Sequence, residues 1–355
     1  MLFIHTCKDF RWWSLFFVWA FAMPLAFGQN NDLVSIIGVG DMMLGTNYPS
    51  KNYLPPNGGN DLLRDVEPIL QNADVTFGNL EGVMFDGEGT PKRCRDMSKC
   101  YVFRSPASYI KHFSNAGFDV VSLANNHSGD FGAAGRKGTK AVLRNAGIAY
   151  AGLAGTDETA FFERNGVKYG FAAFAPNSGT CDVRNIPRAK EIVASMVDKC
   201  DIIIVSFHGG AEGASHQNVP KRRETYLGEN RGDVYKFAHA VIDAGADVVF
   251  GHGPHVTRSI ELYKDRFITY SLGNFCTYGR FNLRGSAGIA PIIKLTTNKS
   301  GAFVSGEITP IYQQKTHGPK VDSQKRAINK LKELTATDFP DSQLLISSDG
   351  LISRK

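Results

Sequence analysis

The chain has 355 residues, 43% of them apolar, with 37 glycines, 15 prolines and a formal charge of +6. That apolar content at that length supports a large buried core and excludes collagen-like and disordered classes. The mild basic excess favours anionic partners, but with no long Lys/Arg run and no aromatic-interleaved basic patch it argues against nucleic acid.

At the N-terminus, Lys8 and Arg11 precede an apolar stretch from Trp12 to Phe27, which Pro24 interrupts, and Ala26-Phe27-Gly28 offers small residues before a cut at Gln29. Residues 1–28 therefore read as a secretory signal. The expected protein is exported, periplasmic or extracellular, with membrane contact only if this segment stays uncleaved. The stretch is short for a span. Residues 29–315 are expected to form the main domain and 316–355 a C-terminal helix and tail.

Five short β-branched runs follow, Val34 to Val39, Asp74 to Phe77, Val120 to Leu123, Ile202 to Phe207 and Val248 to Phe250. They have the character of buried parallel strands. Apolar spacing near 3.6 predicts helices over Asp61 to Gln71, Pro106 to Asn115, Gly132 to Asn145, Ile186 to Lys199 and Asp233 to Ala244, hence βαβ crossovers. Turn signals at Asn165-Gly166, Lys264-Asp265 and Asn298 to Gly301 predict hairpins. Asp322 to Leu334 reads as a charged helix, and the residues after it as a frayed tail. Two long polar stretches, Asp86 to Tyr101 and Gly213 to Gly232, directly follow motif clusters and are expected to overhang the site.

Each of the five runs ends in a polar cluster: Gly40-Asp41, Asn79-Leu80-Glu81, Asn125-Asn126-His127, His208 and Gly251-His252-Gly253-Pro254-His255. Strands laid side by side would bring all five to one sheet edge. Any one of these residues is more often a cap or turn residue. Five in succession, two imidazoles among them three apart in a loop, point to metal. Carboxylate, amide and imidazole form a mixed ligand set suited to one or two divalent ions of Mn, Fe or Zn. Gly38-Val39-Gly40-Asp41 lacks the third glycine of a dinucleotide fingerprint, and Asp233 of Arg231-Gly232-Asp233 reads as a helix N-cap.

Asp41, Glu81, Asn126-His127, His208 and His252-x-x-His255, in that order, resemble the motif layout of calcineurin-like metallophosphatases. With Phe103-Arg104-Ser105-Pro106 and Tyr270-Ser271-Leu272-Gly273-Asn274-Phe275, the chain from about Val34 to Tyr312 more closely resembles the CapA family of capsule or poly-γ-glutamate synthesis proteins. The resemblance implies an α/β fold, a metallophosphatase-like two-sheet sandwich with mixed strands and flanking helices. It implies that Asp41 binds a first metal, Glu81 bridges, Asn126, His208 and His252 hold a second, and His255 returns to the first. His127 matches the non-ligand histidine that protonates the leaving oxygen, with Asp130 holding its other nitrogen. Arg104 and Asn274 are substrate-side candidates. Glu212, four residues past His208, is a substrate-side contact, a supporting partner or a further ligand. Two departures weaken the first site: Met43 stands where the phosphatase pattern has histidine, and the bridging residue is Glu81 rather than Asp.

In an oxidising compartment Cys94 and Cys100 are expected to pair, Cys181 with Cys200 is a candidate second bridge, and Cys276 reads as a buried small residue. Two functions compete. One is a metal-dependent hydrolase acting on a phosphoester or amide of an anionic envelope polymer, working beside polymer-synthesis machinery. The other is a non-catalytic polymer-binding or scaffold factor in capsule assembly.

Overall fold

The computed structural model describes residue 2, residues 33–94 and residues 100–355. Apart from residue 2, the signal segment, Cys7 included, lies outside them. Two sheets form the frame. The larger runs in the order Leu344–Ile346, Leu351–Arg354, Phe303–Tyr312, Ile289–Asn298, Leu33–Met43, Val75–Leu80, Val120–Ser122 and Ala149–Ala151. The smaller runs Ile260–Tyr263, Arg266–Thr269, Val248–His252, Ile202–His208, Val167–Phe174 and Thr159–Arg164. Each mixes parallel and antiparallel pairs, and the three expected hairpins form, two in the smaller sheet and one in the larger.

The sheets meet face to face over one core. Phe77 of the larger sheet stacks on Phe250 of the smaller at 5.1 Å between ring centroids and leans on Phe171 at 5.4 Å. Ile36 and Val75 from one side and Ile204 and Val248 from the other complete this layer. The alternate residues face outward, as the two-residue period of a strand requires. Ile37, Val39 and Val121 take Leu70, Phe113 and Leu143 against the larger sheet. Val205 and Val249 take Val193, Phe237 and Val241 against the smaller. The two-sheet α/β sandwich with flanking helices expected from the sequence is the fold observed.

Several local expectations change. The five strand ends do not share one sheet edge: three belong to the larger sheet and two to the smaller, because periodicity identifies strands but not their neighbours. The helix expected over Asp61 to Gln71 contracts to Glu67–Leu70. Pro68 has no N–H to donate and fits only a first turn. The charged helix runs Arg326–Asp338, since Asp322 stays outside and accepts from the Arg326 backbone at 3.1 Å and its Nε at 2.8 Å. The tail is not frayed: Leu344–Ile346 and Leu351–Arg354 form a hairpin that extends the larger sheet and buries Ile352 completely. Asp233 caps its helix as expected, accepting from Lys236 N at 2.9 Å.

Cys94 and Cys100 are bonded, and Cys276 is buried and free. Cys181 and Cys200 are also free. Cys181 lies beside Ala175 at the C-terminal end of a strand, whereas Cys200 lies just before Ile202, in register with Tyr169 near the strand's start. The Ile186–Ala194 helix returns between them, so the two thiols sit at opposite ends of one crossover. Among the described residues no helix is long and apolar enough to cross a membrane.

Candidate metal centre

Strand register puts the site together from both sheets. In the larger sheet Asp41 is in register with Asn79 on one side and Asn274 on the other. Gly40 makes this junction possible, because a Cβ there would come within 2.0 Å of the Gly273 carbonyl. In the smaller sheet His208 and His252 are directly opposed on parallel strands. His255 follows in a loop with φ of 57°, a left-handed backbone uncommon for a side-chain-bearing residue and frequent at functional sites.

The side chains converge. His255 Nδ1 lies 2.9 Å from Asp41 Oδ2, and its Nε2 lies 3.7 Å from Glu81 Oε1. His252 Nδ1 is 3.4 Å from Asp41 Oδ1, and His208 Nε2 is 3.6 Å from Glu81 Oε1. Ligand atoms of Glu81, His208 and His255 all fall within 4.8 Å of one another. The side chains of Asp41, Glu81, His208 and His252 are 0% exposed while that of His255 is 20%, so His255 is the face shown to solvent. Asn79 Nδ2 donates to Asp41 Oδ1 at 2.8 Å and to Glu81 Oε2 at 3.2 Å, and Asn125 Nδ2 donates to Asn79 Oδ1 at 3.0 Å. These amides fix both carboxylates.

The residues present fit a metal ion. Glu81 Oε1, Asn126 Oδ1 and both ring nitrogens of His208 and of His252 are buried without a hydrogen-bond partner. An unmade hydrogen bond on one such group costs roughly 1–3 kcal/mol, a cost that a bound ion would offset at each of the six. The electrostatics agree. Burial would raise the Asp41 carboxyl, but His252 and His255 hold it well below the usual range. Burial, then the charge of Asp41, pushes Glu81 well above it. Burial opposes protonation of His255, yet Glu81 and Asp41 raise it to about 10, while burial and Arg231 drive His208 well down. Met43 turns its thioether aside, where Sδ accepts from Gly45 N at 3.3 Å.

Beside the centre, His127 Nδ1 donates to Asp130 Oδ2 at 2.8 Å, which also accepts from Phe103 N at 2.6 Å. Nε2 is left for the cleft that His127 lines. Burial lowers the His127 pKa overall, although Asp130 pulls the other way. The cleft, about 610 Å³, is walled by Lys92, Tyr101, Phe103, Tyr226, Arg231 and Phe281, among others. Both long polar stretches therefore line it.

The substrate-side candidates fare differently. Glu212 lines the cleft and pairs with Arg231 at 3.0 Å. Asn274 ties the histidine loop, donating to His255 O at 3.2 Å and Ala287 O at 3.0 Å. Arg104 is not among the cleft's lining: its Nε donates to Asn47 at 2.7 Å and its guanidinium lies 4.8 Å from the Phe131 ring. The cations Lys92, Arg231 and Arg280 and the ring of Phe281, which line the cleft, were given no site role from the sequence, and Phe103 stood in a quoted motif without one. Lys92 and Arg231 lay in the stretches expected to overhang the site, and Phe103 lay just beyond the first of them.

Residues 35–278 match the family model described as bacterial capsule synthesis protein PGA_cap. The chain is 30% identical over 266 residues to the capsule biosynthesis protein CapA of Bacillus anthracis, covering 70% of this chain but only 60% of that relative. It is 31% identical over 339 residues to the PGA biosynthesis protein CapA of Bacillus subtilis, covering 90% of this chain and 83% of that one. Among solved structures, a putative 5'-nucleotidase from Staphylococcus aureus aligns over 85% of this chain and 58% of its own at 16% identity and a TM-score of 0.45.

Proposed function

The chain belongs to the bacterial capsule synthesis protein PGA_cap family, and from that premise we propose that it is an exported, metal-dependent hydrolase acting on a phosphoester or amide of an anionic envelope polymer during capsule or PGA biosynthesis. The observation that carries this reading is the set of buried, unpartnered ligand atoms on Glu81, His208 and His252, gathered from two sheets around Asp41, with Asn126 Oδ1 likewise buried and unpartnered. A divalent Mn, Fe or Zn ion held there would supply Lewis acidity to a substrate oxygen. The protein's own groups do the rest. Asp130 fixes His127 with Nε2 free to protonate a leaving oxygen, Lys92 adds positive charge at the rim, and Phe103, 4.3 Å from the His127 ring, keeps bulk water from it.

A second reading, a non-catalytic polymer-binding factor, is favoured by one feature. Met43 leaves the Asp41 side of the centre without an imidazole that the phosphatase pattern supplies, and its sulfur is engaged by Gly45. Elemental analysis of the purified mature protein, followed by turnover of a generic phosphodiester and of poly-γ-glutamate, separates the two. Bound metal with turnover supports the hydrolase. Polymer bound intact by metal-free protein supports the scaffold.

A further inference from the structure

The cleft over the metal centre does not end at Phe281. Its wall of Tyr101, Arg280, Phe281 and Asn282 is shared with a second cleft of about 500 Å³, whose far side carries Arg284 and Lys315. Among the described residues, three cations and no acid line this second cleft. In the first, Arg231 is already paired with Glu212. Among the described residues, Arg280, Arg284 and Lys315 have no side-chain ion pair or hydrogen bond. Arg280 is instead held by rings, its guanidinium 5.0 Å from those of Tyr53 and Tyr101. The loop that carries it leaves the Asn274–Thr277 strand, whose first residue is in register with Asp41. The spacing between cations and centre is therefore set by the sheet.

We infer that the second cleft is an accessory subsite for a linear chain of repeated carboxylates, one unit lying over the metal centre while further units run along Arg280, Arg284 and Lys315. This rests on the anionic-polymer reading above and gives the polymer a direction across the surface. Guanidinium forks pair with planar carboxylates. A ligand long enough to occupy both clefts binds its second part at high effective concentration, so affinity rises with chain length. A single small anion at the centre would never touch Arg284 or Lys315.

The test compares the full chain with its Arg284→Ala/Lys315→Ala variant, two changes at the surface that leave the metal-side cleft intact. Binding of long poly-γ-glutamate and of triglutamate is read by fluorescence anisotropy at low and moderate salt, with polyphosphate of matched charge as competitor. Wild type binds the long chain more tightly than the trimer, and the variant loses about tenfold for the long chain, and less at moderate salt. Trimer affinity and metal content stay unchanged. Equal long-chain affinity in the two proteins, or no length dependence in wild type, overturns the subsite. Polyphosphate competing as well as polyglutamate overturns the carboxylate assignment. Binding is read without turnover, so a protein that proved metal-free would end the hydrolase reading while still reporting on this one.

Discussion

Lys92 Nζ lies 2.5 Å from Asp130 Oδ1, on the opposite oxygen from the one that holds His127. The carboxylate that orients the histidine is thus itself oriented by a cation from a loop that the Cys94–Cys100 bond closes just beyond it. If His127 acts as the proposed acid, His127→Ala should lower turnover roughly 10²-fold or more while leaving bound metal unchanged, because an acid is not a ligand. Lys92→Ala should cost less, and Lys92→Arg should recover most of the loss. Metal content and turnover measured on the same samples check this. Loss of metal from His127→Ala would make it a ligand instead.

The ligand assignments are checked by metal content alone. His208→Ala and His252→Ala should each empty part of the centre, and Glu81→Gln should weaken all of it, because Glu81 Oε1 faces both His208 and His255. Elemental analysis of each variant beside wild type gives the answer. Stoichiometry equal to wild type in both histidine variants would defeat the assignment.

Asp247 offers a pH test away from the centre. Burial raises its carboxyl to about 6, against the pull of Ile203 N–H at 2.8 Å and Arg266 Nε at 3.0 Å. The folded chain holds this proton more tightly than the unfolded one, so its contribution favours folding at low pH. That contribution is lost as pH rises from about 4 through about 6. Asp247→Asn mimics the protonated form. Its Tm relative to wild type should climb across that window by the equivalent of about 3 kcal/mol and then level. A difference flat with pH would contradict the shift.

Peptide mapping without reduction should recover Cys94 joined to Cys100 and no other link. Cys181, 4% exposed, and Cys276, 1% exposed, should alkylate only after unfolding. A Cys181–Cys200 peptide would require the crossover between them to be arranged differently.

Much of the centre was legible in the sequence because its parts are local. A β-branched run fixes a strand, and a ligand at the run's end needs only that strand to be placed. Asp41, His208 and His252 all sit this way, and the Gly132–Asn145 helix has the expected bounds. What was hidden depends on long-range meetings. Lys92 reaches Asp130 across 38 positions of chain in a loop without periodicity. Arg104 stood inside a motif, but its guanidinium is claimed by Asn47 and the ring of Phe131. The tail strands are too short and interrupted to announce themselves, and it is pairing with the distant Phe303–Tyr312 strand, at Gly306 with Ile352 and Glu307 with Leu351, that orders them.

Because Asp41 and Glu81 come from one sheet and His208 and His252 from the other, the centre spans the seam of the sandwich and measures its alignment. With an ion bound as proposed, its affinity would be a gauge of how the two halves sit, sensitive to changes that touch none of the coordinating residues. Phe77→Ala, which empties the stack with Phe250 and Phe171 beneath His252, should loosen the grip on the ion as well as the fold. In return a bound ion clamps the seam and raises Tm with its concentration.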